Sequence, residues 1–466
     1  MNQIKPGKTG YAPLAFITLA HLMAVLDNTV MMVALPSVQS ALGVSAADRQ
    51  WIVTAYTAAF AGLLLLGGKL ADRFGANRTL AAGVIGFAAA SAVGGAAFSP
   101  IMLIAARALQ GGFGAVLTSS TKTLLALTYT ESGPRAKAMG IFSATLAFGG
   151  VFGMILGGLL TASLGWRWCL YINLPVSLAV IAGGLRFIPR AAVKKRAGVD
   201  FVSAAVFFCA MFALVFGFGR AASDGWASRA VIISLLVSAG LSAAFVIMQK
   251  KRPEPLFPLR IVTDRNRAGA FISMVFNSFG TLGLMLILTF QLQKVRGFSP
   301  PAAGLALMPM MLAAVALSAG VVPRLINKAP DGWLISGGVF LSGLGLLPLA
   351  FLGAAGWFWP LVILSQILEG AGSALGAAPA MYASLRGVLP ADTGVASSAS
   401  SAASQIGSSI GAALLNTVAV SAAAGAGGAA AARGFAAACG FGFALLMIVS
   451  VVVLIIMTAR FPRFPR

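Results

Sequence analysis

Long apolar runs broken by short polar connectors make up most of the chain. Fourteen runs can be drawn, at 14–35, 50–67, 79–98, 101–124, 138–162, 168–188, 201–220, 230–249, 267–292, 302–322, 333–354, 358–383, 394–420 and 435–458. Most approach the ~20 residues that a helix needs to cross a bilayer. Backbone groups in hydrocarbon have no water to bond, so each run predicts a helix that satisfies them internally. The expected fold class is all-α integral membrane, with 14 transmembrane helices. The first run is too long for the apolar core of a signal peptide, and no small-residue cleavage site follows it, so a retained helix is expected.

Composition supports lipid as the solvent. Of 466 residues, 59% are hydrophobic and only 9% charged, against about 25% charged in a soluble domain. The net charge of +22 would suit nucleic acid if it lay on one face. It lies instead in short connectors, so no nucleic-acid partner is expected; the expected partners are membrane lipids and a small-molecule substrate. With both termini cytoplasmic, the outer connectors hold only Arg49, Arg167, Arg220, Arg229, Lys294, Arg296 and Arg433, and Arg107 lies inside a run. The rest of the 33 Lys and Arg fall on the cytoplasmic side, the positive-inside asymmetry. A multi-pass protein of the cell inner membrane, working as a monomer, is the expectation.

Several chemistries are excluded. Cys169, Cys209 and Cys439 sit in apolar runs at no metal-ligand spacing. With His21 the single histidine, no metal site is expected. No catalytic cluster of nucleophile, base and electrophile sits at one depth, so the chain is not expected to be an enzyme. No phosphate-binding loop is present, which argues against an ATP-driven pump. No cofactor is expected, and a proton gradient is left as the energy source.

Two connectors, 189–200 and 250–267, are the most basic and bracket the seventh and eighth runs. They suggest an N-terminal six-helix bundle over 12–188, basic connectors and an inserted helix pair over 189–261, and a C-terminal six-helix bundle over 262–460. The low-complexity stretch 421–434, "SAAAGAGGAAAARG", reads as an outer loop.

Four motifs and one isolated acid carry candidate chemistry. At 68–78, "GKLADRFGANR" reads as a tight cytoplasmic loop permitted by Gly68 and Gly75. Asp72 there can meet a helix N-terminus or a basic partner, and Arg73 and Arg78 stay on the cytoplasmic side. In the fourth run, "RALQGGFGA" puts Arg107, Gln110, Gly111 and Gly114 on one helical face, which Thr118, Thr121 and Lys122 extend. An arginine at such depth is costly and faces a protein interior or a watery cavity. Lys122 either lines that cavity or snorkels to the headgroups. In the first run, "HLMAVLDNTVMMVALP" buries Asp27. In the fifth, Gly149, Gly153 and Gly157 of "GGVFGMILGG" repeat every four residues, with Gly158 beside them, as a close-packing face. Glu369 is an acid in the middle of the twelfth run, and a carboxylate at that depth is functional by default. Asn277 is also mid-run. Ser398, Ser401, Gln405 and Ser408 share a face that serves either a cavity or ordinary packing. His21 shares no face with Asp27 and is expected to be structural or near the cytoplasmic mouth.

"GKLADRFGANR" resembles the signature loop of the major facilitator superfamily, and "RALQG" an exporter pattern of the same superfamily. "LDNTVMMVALP" resembles the first-helix motif of its 14-span drug:proton antiporters, the EmrB/QacA type. "WIVTAY" (51–56), "WRWCLYINLP" (166–175) and "GFSPPAAGLALMP" (297–309) are similar to that group as well. Met154 departs from it, standing where these exporters carry a helix-bending proline. The resemblance implies two six-helix bundles plus an inserted pair, rocking around a central site. It implies proton coupling through Asp27 and Arg107, to which Glu369 is added from charge and depth. The cavity is expected to involve Asp27, Asn28, Tyr56, Arg107, Gln110, Thr118, Asn277, Glu369 and Gln405. Gly68, Asp72, Arg73, Gly75 and Arg78 would gate it. Export of lipophilic, cationic drugs or biocides is expected. A dedicated metabolite exporter or a proton symporter of the same fold stays open.

Overall fold

The computed structural model describes residues 11–43, 46–188, 198–326, 328–352, 357–389, 392–422 and 428–458. These are helical, with no strand among them. In chain order the helices are α1 (Ala12–Leu42), α2 (Ala46–Phe74), α3 (Ala76–Gly95), α4 (Pro100–Thr128), α5 (Ser132–Ser163), α6 (Trp168–Tyr171), α7 (Asn173–Phe187), α8 (Phe201–Asp224) and α9 (Arg229–Lys251). Then follow α10 (Arg260–Thr263), α11 (Arg265–Phe290), α12 (Pro300–Ala306), α13 (Met308–Gly320), α14 (Val322–Ile326), α15 (Asp331–Leu346), α16 (Phe358–Leu385), α17 (Thr393–Ala422) and α18 (Gly428–Thr458).

Among the described residues, eleven helices are long and apolar enough to cross a membrane, and two shorter apolar stretches lie at Trp168–Gly184 and Met308–Gly320. The chain is a multi-pass membrane protein. The shortfall from fourteen has local causes. The sixth run breaks between α6 and α7. The tenth breaks at Leu307, just before Pro309, which carries no N–H to continue a ladder. α17 is long enough but runs serine-rich through 397–409.

Two expectations about connectors are corrected. The segment 68–78 is not a loop: α2 runs through Phe74 and α3 starts at Ala76, so Gly75 alone turns the chain, at φ 87°. Only glycine adopts that conformation without steric cost. Likewise, 428–434 is the first part of α18 and not a loop, because its alanines are the best helix formers. The start of the basic connector, 189–197, lies outside the described residues, as do 423–427 and both termini.

Packing sorts the helices into two groups. α1 lies along α5 and against α4 and α7, while α4 is flanked by α2 and α3. In the second group α11 meets α15, α16, α17 and α18, and α13 packs on α16. The groups meet chiefly through α2 and α17 and through α5 and α13. α8 and α9 pair with each other, and α8 rests on α2 and α17. At the start of α8, partial burial pushes the Asp200 carboxyl up. Hydrogen bonds from the Ser203 hydroxyl and N–H, with Arg252 at 3.3 Å, outweigh that and hold it below the usual carboxylate range.

The α1–α5 seam is built on small residues. Gly149, Gly153 and Gly157 face Val25, Thr29 and Val30, and a Cβ on Gly157 would come within 2.9 Å of the Val30 backbone. Lipid gives helices no hydrophobic reason to associate, so close van der Waals contact has to hold them. The Thr29 hydroxyl adds a hydrogen bond to the Gly149 carbonyl at 3.2 Å. Gly158 is only partly buried, one residue off that face. Met154 is buried, and Gly304 of α12 packs against it. With no proline there, α5 is one unbroken helix.

Candidate functional site

Asp27 of α1 and Arg107 of α4 meet inside the first group, 1% and 0% exposed. Arg107 Nη1 donates to Asp27 Oδ2 at 2.5 Å and to Gln110 Oε1 at 2.9 Å. Asp27 Oδ1 accepts from Gln110 Nε2 at 3.0 Å and from Asn173 Nδ2 at 2.7 Å. Both amides also reach Ser91 Oγ, at 2.7 and 3.2 Å. The guanidinium lies 4.3 Å from the ring centre of Tyr56, whose hydroxyl donates to the Ala24 carbonyl. Two charges leave water cheaply only when they meet each other and their remaining valences are bonded. Here α1, α3, α4 and α7 supply most of those bonds, and the Ile52 carbonyl of α2 accepts from Arg107 Nε at 3.4 Å, while Arg107 Nη2 is left without a partner.

Asn173 and Ser91 were not among the expected site residues. Asn173 could have been found, since it is the one amide in "WRWCLYINLP". Ser91 is one hydroxyl among alanines, and nothing in the sequence marks it. Gly111 and Gly114 sit against the Tyr56 backbone and hydroxyl. They let α4 approach α2 and offer no polar group.

The second group holds a different cluster. Glu369 of α16 is 0% exposed. Its Oε1 accepts from the Thr281 hydroxyl at 2.6 Å, and Ser342 stands beside the carboxyl. Asn277 donates to the Gly372 carbonyl at 3.3 Å and to Ser342 Oγ at 3.4 Å. Among the described residues, Glu369 forms no ion pair. Thr281 and Ser342 were not anticipated either. Asp27 and Glu369 therefore belong to separate clusters, one per group.

A third layer ties the groups together. Asp72, at the end of α2, accepts from the Gly394 and Val395 N–H groups at 2.9 and 3.2 Å. These N–H groups open α17, where the helix dipole favours an anion. Gly68 lets α2 come close, since a Cβ there would strike Gly394 and Ser398. Arg260 pairs with Asp392 at 2.7 Å just before α17, and Lys69 reaches the Pro255 carbonyl. Arg73 lies over Phe74, and Arg78 is exposed.

The remaining positions are dispersed. Asn28 and Gln405 are partly buried, and Thr118 is buried. Lys122 does not snorkel: its Nζ reaches across to Ser400 Oγ of α17 at 3.3 Å. His21 is 5% exposed and stacks on Phe142 at 4.3 Å between ring centres. No cluster of metal-binding side chains occurs among the described residues.

Two helical groups, one burying a charge pair and the other a lone acid, with the α8–α9 pair packed through α8 on α2 and α17, define a polytopic membrane transporter. A family profile described as Major Facilitator Superfamily matches residues 17–412. The chain belongs to that superfamily and is a transporter, not an enzyme. It is 39% identical over 414 residues to the puromycin resistance protein pur8 of Streptomyces alboniger, covering 88% of this chain and 82% of that one. It is 33% identical over 421 residues to the cephamycin export protein CmcT of Amycolatopsis lactamdurans, covering 89% and 86%. The human organic anion transporter MFSD10 superposes with a TM-score of 0.67 at 16% identity, over 95% of this chain and 99% of that one. The proton:xylose symporter XylE gives 0.66 at 15%, over 97% and 96%. Those two likenesses concern the fold alone.

Proposed function

We propose that this transporter exports lipophilic drugs in exchange for protons, as a 14-span antiporter of the EmrB/QacA type in the cell inner membrane with both termini cytoplasmic. The export reading is carried by the relatives named for puromycin resistance and cephamycin export, which match along most of their length. The bundles rock about their seam, and the site opens alternately to each side. Asp27 and Arg107 form a neutral anchor in the first bundle. Glu369 carries the exchanged proton, because an ionised carboxylate buried without a cation is expensive. Opening the bundle to water lowers that cost, and closing it restores it.

A cationic cargo needs a carboxylate that faces it: both Asp27 oxygens are already engaged, which leaves Glu369, an acid with no ion pair among the described residues.

The test uses purified protein in proteoliposomes with an imposed pH gradient and a fluorescent dye as cargo. Wild type is expected to accumulate dye against its gradient, and Glu369→Gln to let dye equilibrate without accumulation. Gradient-driven accumulation by Glu369→Gln at the wild-type level removes Glu369 from coupling. Met154 keeps one second reading, a dedicated metabolite exporter or symporter. The direction of cargo movement under a fixed gradient separates the two.

A further inference from the structure

A group of polar atoms lies apart from both clusters. It sits between α1, α4, α5 and α17, towards the end of α1 that precedes Asp27. His21 is buried, yet neither ring nitrogen has a hydrogen-bond partner. One ring face is covered by Phe142. The Lys122 ammonium acts electrostatically on this ring. Lys122 itself has three protons to donate, and the one hydrogen bond seen is to Ser400 across the seam. Thr118, one turn along the same face of α4, buries a hydroxyl oxygen that also lacks a partner. Among the described residues no carboxylate forms an ion pair with Lys122.

Buried polar groups are normally bonded, so a set of open ones invites a ligand. The charge here is positive and the open groups are chiefly donors. The flanking wall is an aromatic ring. We infer that this is a binding subsite for the acidic group of an amphiphilic organic anion, gripped by Lys122 and Ser400, with its apolar body along His21 and Phe142. The inference rests on the export reading and deepens it, since it assigns the cargo an acid. Because Lys122 and Ser400 come from opposite bundles, an anion held there bridges the seam that alternating access must open. The same chemistry is carried by an anionic lipid headgroup, so the test separates cargo from lipid.

Three matched fluorescent probes are titrated onto the purified full chain: dansylglycine (acid), dansylglycinamide (neutral) and dansylcadaverine (cation). Wild type is expected to bind the acid about tenfold more tightly than the amide, the worth of one charge-assisted hydrogen bond. Lys122→Gln should bring acid and amide to within about twofold, while Lys122→Arg keeps the preference for the acid. Circular dichroism and gel filtration check that both variants are folded. Equal binding of acid and amide by wild type overturns the inference, and so does an undiminished preference in Lys122→Gln. Titration is repeated in phosphatidylcholine and phosphatidylglycerol vesicles. Competition by phosphatidylglycerol that disappears in Lys122→Gln supports the site with a headgroup as occupant. Absence of competition supports cargo. Since binding is read without a gradient, an acid preference in a protein that moves no dye sinks the export reading and leaves this site standing.

Discussion

At the scale of residues, the two buried acids differ in their company. Asp27 shares a neutral cluster with Arg107, Gln110, Asn173 and Ser91, and Glu369 has hydroxyls but no cation. Removing one partner of a buried pair strands the other charge. Asp27→Asn is therefore expected to cost about 3–5 kcal/mol, read as a lowered thermal midpoint in detergent. The double variant Asp27→Asn, Arg107→Gln should recover most of that loss, because neither charge is then stranded. Glu369→Gln keeps an oxygen for Thr281, so its thermal midpoint should shift by no more than about 1 kcal/mol equivalent. A large loss there would mean that Glu369 is structural. Asp27, Arg107 and Glu369 were legible in the sequence because a charge in an apolar run stands out. Ser91, Thr281 and Ser342 were not, because a hydroxyl in a helix can bond its own backbone and so carries no signal by itself.

Single residues decide the helical elements. Gly157 faces the Val30 backbone and Gly158 is only partly buried. Gly157→Leu should drive α1 and α5 apart at a cost of about 2–3 kcal/mol or more, and Gly158→Leu should cost far less. Yield of monodisperse protein after extraction measures both. Gly75→Val forces a branched side chain to φ 87°, and about 1–2 kcal/mol of strain is expected. Helix existence followed from hydropathy almost throughout, since lipid leaves the backbone no alternative. Helix ends did not. The motif at 68–78 reads as a loop by composition, yet its charges lie on α2 and α3 with one glycine between them.

For the whole molecule, the seam is what matters. Asp72 holds the opening N–H groups of α17 from the opposite bundle, and Lys122 reaches Ser400 across the same seam. Asp72→Asn keeps the shape and loses the charge, and an anion at a helix N-terminus contributes about 0.3–1 kcal/mol. That is enough to raise a minor open state by about twofold to fivefold. Nitroxide labels at the exposed positions Phe74 and Leu389 should show a longer distance population growing in Asp72→Asn; an unchanged distribution would show that this contact does not bias the cycle. The sequence by itself determined that the chain is a bundle of membrane helices, where its buried charges lie along them, and which motifs it shares with exporters. Those properties are local, fixed by hydropathy over about twenty residues and by spacing on one helix face. The tertiary structure alone decided that Asp27 is neutralised while Glu369 is not, that Asp72 caps α17, and that His21, Thr118 and Lys122 keep polar valences open beside the seam. Those depend on the rotation and depth of one helix against another, and residues hundreds of positions apart in sequence share no local signal of their meeting.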